Sequence, residues 1–242
     1  MNCVDHPKAH WLFIRLRVIA CDSTCYSSTR AVGHIVQSVP HSKTMGRAAR
    51  AEPENHRLFE GEPLQTKSEL DNFYKVSDPW AYFQHADDAR RRNELLAVLP
   101  KRQWGRVLDI GCGNGFITLT LPGRAIVGVD FSAEAVRWAR DAAAKQADQE
   151  RFRFEVGSLL DPELVKLGHF DLVVVTGVLY EQYVGKAWAF VRWILDQLTQ
   201  EGSIVATCHI REWIRMRPPY SLIDMTMYPY REYTHQLEIF RR

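Results

Sequence analysis

Two acids bracket a glycine loop near the middle of the chain, and these residues have the clearest chemical meaning. The stretch Val107-Leu108-Asp109-Ile110-Gly111-Cys112-Gly113-Asn114-Gly115 is an apolar run that breaks into alternate glycines. Further on, Val127-Gly128-Val129-Asp130-Phe131-Ser132 ends a second apolar run in another acid. Glycines stand where the backbone turns with positive φ or where a ligand approaches the main chain. An acid ending the second strand of such a unit, about twenty residues after the glycines, accepts hydrogen bonds from ribose hydroxyls.

The departures from the dinucleotide pattern narrow the ligand. In G-x-G-x-x-G the third glycine would stand at Phe116, whereas Gly115 comes one place early. Asp109, at the end of the first strand, would repel a pyrophosphate. It suits a cofactor with no phosphate and a cationic end. S-adenosylmethionine, with its ammonium and sulfonium, is such a molecule. The two segments together resemble motif I and the following acidic motif of class I methyltransferases.

That resemblance spans residues 68–242 and implies a fold and a cofactor. The fold is α/β, a Rossmann-like doubly wound seven-stranded sheet in the order 3-2-1-4-5-7-6. Strand seven is antiparallel, and N-terminal helices form a lid. The cofactor is S-adenosyl-L-methionine. Its expected neighbours are Asp109, Gly111, Cys112, Gly113, Asn114, Asp130, Phe131, Ser132, Gly157, Ser158, Leu159 and Thr176. Many members of the family carry an acid at the Ser158 position, so the adenine contact here passes to a hydroxyl or a backbone group. Cys112 reads as a small residue that fits the turn, not as a nucleophile.

The acceptor belongs beyond the carboxyl ends of strands four and five, where open α/β sheets bind ligands. Residues 176–181 and 209–212 lie there. Residues 174–180 resemble the segment at which NodS-like N-methyltransferases place a tyrosine near the acceptor. Asp78-Pro79-Trp80, following Phe73-Tyr74, resembles the start of those enzymes. The candidate catalytic residues are Tyr180, Glu181 and His209, expected to face one pocket. Tyr180 would orient the acceptor, and Glu181 would receive an amine's proton or pair with its charge. His209 would act as general base, its ordinary pKa lying near neutrality. Arg211 and Arg215 are candidates to hold an anionic substrate group. The expected reaction is methylation of a small molecule, first an amine on a sugar or oligosaccharide. O-methylation of a small metabolite and a binding module without turnover are the alternatives.

The remaining sequence supplies the elements that position these residues. Residues 68–74 predict a short capped helix, and 78–83 an aromatic turn. Residues 86–99 predict an amphipathic helix with Leu95, Leu96 and Leu99 on one face and Arg90, Arg91 and Arg92 on another, stopped by Pro100. Strands are expected at 107–110, 125–130, 151–156, 170–176 and 203–208. Helices are expected at 116–121, 132–147, 161–167 and 188–198, Ser132 capping the second of these. Residues 221–228 and 233–240 alternate around Pro229-Tyr230-Arg231-Glu232 and predict an antiparallel hairpin.

Composition sets the outer bounds. A net charge of +2, from 31 basic and 29 acidic residues, argues against a nucleic-acid surface as the main feature. No apolar run is long enough to span a membrane. Five cysteines, an odd number without a disulfide framework, fit a reducing cytoplasm. Residues 1–67 lack sustained periodicity and read as a poorly structured extension, or as chain ahead of a true start near Met45 or later. Cys3, Cys21, Cys25, His34 and His41 lie in it without finger-like spacing, so no metal is expected.

Overall fold

The computed structural model describes residues 66–185 and 187–242. The expectations for the N-terminal extension and its cysteines and histidines lie outside the described residues. Seven strands form one sheet: β1 (Arg106–Ile110), β2 (Ala125–Asp130), β3 (Phe152–Val156), β4 (Phe170–Thr176), β5 (Thr199–Ile210), β6 (Ser221–Tyr230) and β7 (Tyr233–Arg241). Their order is β3-β2-β1-β4-β5-β7-β6, with β7 antiparallel to both of its neighbours. This is the expected class I methyltransferase topology.

The central strands are apolar on both faces because both are covered. In β4, Val173 and Val175 enter one core with Ile194, Leu195 and Leu198 of α5 (Trp188–Leu198). Leu172 and Val174 enter the other, with Leu95 of α2 (Ala86–Val98). A third cluster joins Val136 and Ala139 of α3 (Ala133–Ala143) to Cys112 and Phe154. Gly128 is required there: a Cβ on it would lie 2.6 Å from the Phe154 ring.

The lid begins with α1 (Lys67–Phe73), closed by a capping box in which Thr66 and Glu69 satisfy each other's backbone donors. Asp71 accepts from the Ser132 hydroxyl at 2.6 Å, and Trp138 Nε1 donates to the Tyr74 carbonyl at 2.9 Å. The lid is thereby tied to the start of α3. Helix α2 is tied to the β6–β7 hairpin instead. Fully buried Asp88 accepts from the Tyr230 hydroxyl at 2.7 Å and from Arg231 at 2.9 Å.

Several boundaries differ from the sequence expectation. Residues 116–121 form only a 3₁₀ turn at Thr118–Thr120. Gly115 at φ 86, the β-branched Ile117, Thr118 and Thr120, and Pro122 leave no room for an α-helix. Residues 161–167 are likewise 3₁₀, at Pro162–Leu167, with the Asp161 side chain as cap. Helix α3 ends at Ala143, where i→i+3 bonds to Ala142 and Ala143 take over. Strand β5 runs past both ends of its expected span because β4 and β7 continue to pair with it. A four-residue helix, α4 (Glu181–Val184), follows β4 without having been expected. Among the described residues no helix is long and apolar enough to cross a membrane, and no group of three or more His, Cys, Asp or Glu could hold a metal.

Candidate active site

The glycine turn is held by β2. Gly111 N–H and Cys112 N–H both donate to the Val129 carbonyl, at 2.8 and 3.1 Å. Gly113 N–H donates to one Asp130 carboxylate oxygen at 2.8 Å, and Ser132 N–H to the other at 2.9 Å. Burial raises the Asp130 pKa, and these two backbone donors oppose the rise. The carboxylate is thus fixed in place, and each oxygen keeps lone pairs for a ligand.

Asp130 lies on the wall of a cavity of about 560 Å³ above the carboxyl ends of the strands. That is the size of an ordinary small-molecule site. At one end the wall is Gly111, Asp130, Phe131, Gly157, Ser158, Leu159 and Thr176. At the other end stand Tyr180, Trp213, Tyr230, His235 and Arg91, with Tyr74, Trp80 and Tyr82 contributed from the lid side. Trp213 packs on Tyr180 with ring centroids 4.9 Å apart, and Tyr230 stacks on His235 at 3.7 Å.

The other expected cofactor residues stand behind this wall. Asp109 is buried; one oxygen accepts from the Thr118 hydroxyl at 2.6 Å and the other has no partner. Burial pushes its carboxyl up to about 6, against the Thr118 hydrogen bond and the Arg91 charge. Cys112 packs against Phe154 and Ala139, its thiol raised by burial. Asn114 donates to the Ser77 carbonyl at 2.8 Å and so joins the turn to the lid. Gly113 and Ser132 act through Asp130, whose oxygens their backbone donors hold.

Of the three candidate catalytic residues, Tyr180 alone lines the cavity; this corrects the expectation of one shared pocket. Its oxygen accepts from Ile210 N–H at 2.5 Å, and burial raises its pKa, so it is a neutral phenol. Glu181 opens α4, where its backbone N–H binds the Ile214 carbonyl, and its side chain is not in the wall. His209 is turned away by strand alternation. Cys208 and Ile210 face the cavity, while His209 lies on the opposite face, its Nε2 3.7 Å from Glu238. Burial and the nearby Arg215 and Arg217 hold its pKa down at about 2. Arg215 and Arg217 pair with the same Glu238, at 3.7 and 2.7 Å, and Arg211 is exposed, so none of the three reaches the cavity.

The imidazole that does reach the cavity is His235, paired across from Ile210 in the β5–β7 ladder. Burial, Arg91 and Arg231 lower its pKa to about 3. Neither His235 nor Arg91 was singled out by sequence. The parity of β7 depends on its register with β5, and Arg91 sits in a run of three arginines of which any one could face inward.

The glycine turn, the acid ending β2 and the β7 insertion together define a class I, S-adenosylmethionine-dependent methyltransferase domain. The chain belongs to the family described as "Methyltransferase domain", whose profile matches residues 102–227. Its relatives include the magnesium-protoporphyrin O-methyltransferase of Rhodobacter capsulatus, 37% identical over 86 residues, covering 34% of this chain and 37% of that protein. Another is the 23S rRNA (uracil(1939)-C(5))-methyltransferase of Bordetella pertussis strain Tohama I, 33% identical over 107 residues, 42% of this chain and 23% of that protein. The chain therefore spans well under half the length of these curated relatives. One of these relatives thus acts on RNA and the other on a porphyrin. The N-methyltransferase NodS from Bradyrhizobium japonicum WM9, solved with S-adenosyl-L-homocysteine, has the same fold. The TM-score is 0.61 at 18% identity, over 73% of this chain and 97% of that one.

The residues present suit the cofactor. Gly111 sits at φ 78, and a Cβ there would fall 2.4 Å from the Val178 side chain, so only glycine fits this part of the wall. Fixed Asp130 matches a ribose diol, and the apolar Phe131 and Leu159 match a flat base.

Proposed function

We propose that the protein moves the methyl group of S-adenosylmethionine to a small-molecule acceptor, and that the methylated atom is an amine nitrogen. An amine on a sugar or oligosaccharide is the first acceptor class to test. The catalytic unit in this reading is residues 68–242. The observation that carries it is one cavity running from Gly111 and Asp130 to an aromatic chamber at Tyr180, Trp213 and Tyr230.

When bound, S-adenosylmethionine supplies a methyl group already activated on a sulfonium. The protein's own contribution is then to fix the acceptor in line with it. The Tyr180 oxygen accepts from Ile210 N–H and keeps a second lone pair for an acceptor N–H. That contact would aim the amine's own lone pair at the methyl carbon. Aromatic walls give a flat or ring-shaped acceptor a surface to lie on. An amine that arrives neutral needs no strong base. His235, held to a pKa of about 3, is too weak to deprotonate a hydroxyl efficiently, and this favours nitrogen over oxygen. Glu181 and His209 stand outside the wall and are given no step.

The test is turnover with a panel of aminosugars and simpler amines across pH, with the full chain and S-adenosylmethionine. The rate should rise with pH until the amine is neutral, and N-acetylation of the amine should abolish it. Methyl appearing on oxygen, with turnover indifferent to N-acetylation, would replace this reading by O-methylation. Binding of the cofactor with no turnover on any acceptor would make the chain a binding module.

A further inference from the structure

We propose that Arg91 forms a carboxylate-binding subsite at the acceptor end of the cavity, so that the acceptor carries an anionic group as well as the atom that is methylated. This rests on the reading that the acceptor lies in the aromatic chamber.

Arg91 is the third residue after Asp88 on α2, and its side chain is only 12% exposed. It lines the cavity. Its guanidinium lies over the Tyr82 ring, 4.9 Å from the centroid, and 5.9 Å from that of Tyr230. Its charge acts on the Cys208 thiol, the Tyr180 phenol and the His235 imidazole. All three line the cavity around Tyr180, and the charge also reaches Asp109, buried behind the glycine turn.

The guanidinium is incompletely paired. Its Nε is buried and has no hydrogen-bond partner. The carboxylate nearest to it, Asp88, is committed elsewhere, to the Tyr230 hydroxyl at 2.7 Å and to Arg231 at 2.9 Å. Arg91 Nη2 reaches Asp88 only at 3.6 Å, beyond a good hydrogen bond. Arg231 is itself occupied by Asp88 and the Trp80 carbonyl. Arg91 is thus a buried cation on the chamber wall whose only ion pair among the described residues, with Asp88, is long. A guanidinium presents a planar fork that matches a carboxylate. Asp88 and Asp109 lie close enough to offset part of the positive charge. That balance favours a singly charged group such as a carboxylate over a phosphate dianion.

The clasp between Asp88, Tyr230 and Arg231 explains how this side chain is held in one position. It pins the first turn of α2 to the tip of the β6–β7 hairpin, one helical turn before Arg91.

The test uses the full chain saturated with S-adenosyl-L-homocysteine and two probes, 4-(aminomethyl)benzoate and benzylamine, which differ by one carboxylate. Calorimetry should show the carboxylate probe binding about tenfold tighter or more, the scale of a charged hydrogen-bonded pair. Arg91→Met should erase that difference and Arg91→Lys should retain part of it, with S-adenosyl-L-homocysteine affinity unchanged in both. Should Arg91→Met fail to fold, Arg91→Lys and Arg91→Gln carry the comparison. Equal binding of the two probes to the wild type, or binding of neither, overturns the proposal. So does a loss of S-adenosyl-L-homocysteine affinity in the variants with 5′-methylthioadenosine affinity intact, which would assign Arg91 to the amino-acid end of the cofactor. A wild type that binds no S-adenosyl-L-homocysteine would instead overturn the methyltransferase reading itself.

Discussion

At the scale of residues, Asp130 is the side chain through which the site can be tested most cleanly. Its carboxylate is held by two backbone donors and lines the cavity, so removing it deletes acceptors that are already in position. Asp130→Ala should weaken S-adenosyl-L-homocysteine binding by about 1.5–3 kcal/mol, the worth of a charged hydrogen bond. Asp130→Asn should recover part of that loss. A folded alanine variant with unchanged calorimetric affinity would remove Asp130 from the site. The acid, the glycines and Tyr180 were legible in the sequence because each sits at a strand end, where position along the chain fixes position in the fold. His209 was not. Its neighbours Cys208 and Ile210 face the cavity, and a strand alternates, so a one-residue error of parity exchanges His209 for His235.

At the scale of elements, the β1 turn and the α2 clasp make separate predictions. Gly111→Ala puts a side chain on a residue at φ 78 and a Cβ 2.4 Å from Val178. The backbone strain alone should cost about 1–2 kcal/mol, visible as a lower melting temperature, and cofactor binding should fall with it. A variant as stable as the wild type would mean that the turn relaxes freely. Asp88→Ala strands Arg231 and the Tyr230 hydroxyl at once. Breaking a buried ion pair costs about 3–5 kcal/mol, and the partial exposure of Arg231 places this one near the lower figure. Denaturant unfolding of both variants would measure these losses; an Asp88→Ala protein of wild-type stability would show that the clasp contributes nothing. Strand β4 and helix α5 were readable to the residue, since an unbroken apolar run and a long amphipathic one admit one reading each. The 3₁₀ turns and α4 were not, because pieces this short are set by the loops and caps around them and not by periodicity.

At the scale of the whole molecule, buried titratable groups set the dependence of stability on pH. His209 and His235 fall from 6.5 to about 2 and about 3 on folding, chiefly through burial. The unfolded chain therefore binds more protons than the fold as pH drops below about 6.5, and stability is lost on acidification down to about 3. Asp109 works the other way. Its folded value of about 6 exceeds 3.8, so its contribution favours the fold more at acid pH and declines as pH rises from 3.8 to about 6. Asp130 is raised by burial in the same sense, but the Ser132 and Gly113 backbone donors oppose its rise, so the two histidines dominate and the melting temperature should fall between pH 7 and pH 5. The double variant His209→Gln/His235→Gln should flatten or reverse that slope. A melting temperature that rises on acidification in the wild type would show that the histidines are not held neutral.

Methyl transfer to a small molecule from the cavity beside Asp130 is tested most directly by labelling. The full chain is incubated with S-adenosylmethionine labelled on the methyl group, together with a whole-cell extract. The extract is then separated into low-molecular-weight, protein and RNA fractions and each is read by mass spectrometry. The expected result is label in the low-molecular-weight fraction, with equal release of S-adenosyl-L-homocysteine, both lost in Asp130→Ala. Label confined to RNA or protein, or turnover unaffected by Asp130→Ala, would contradict it.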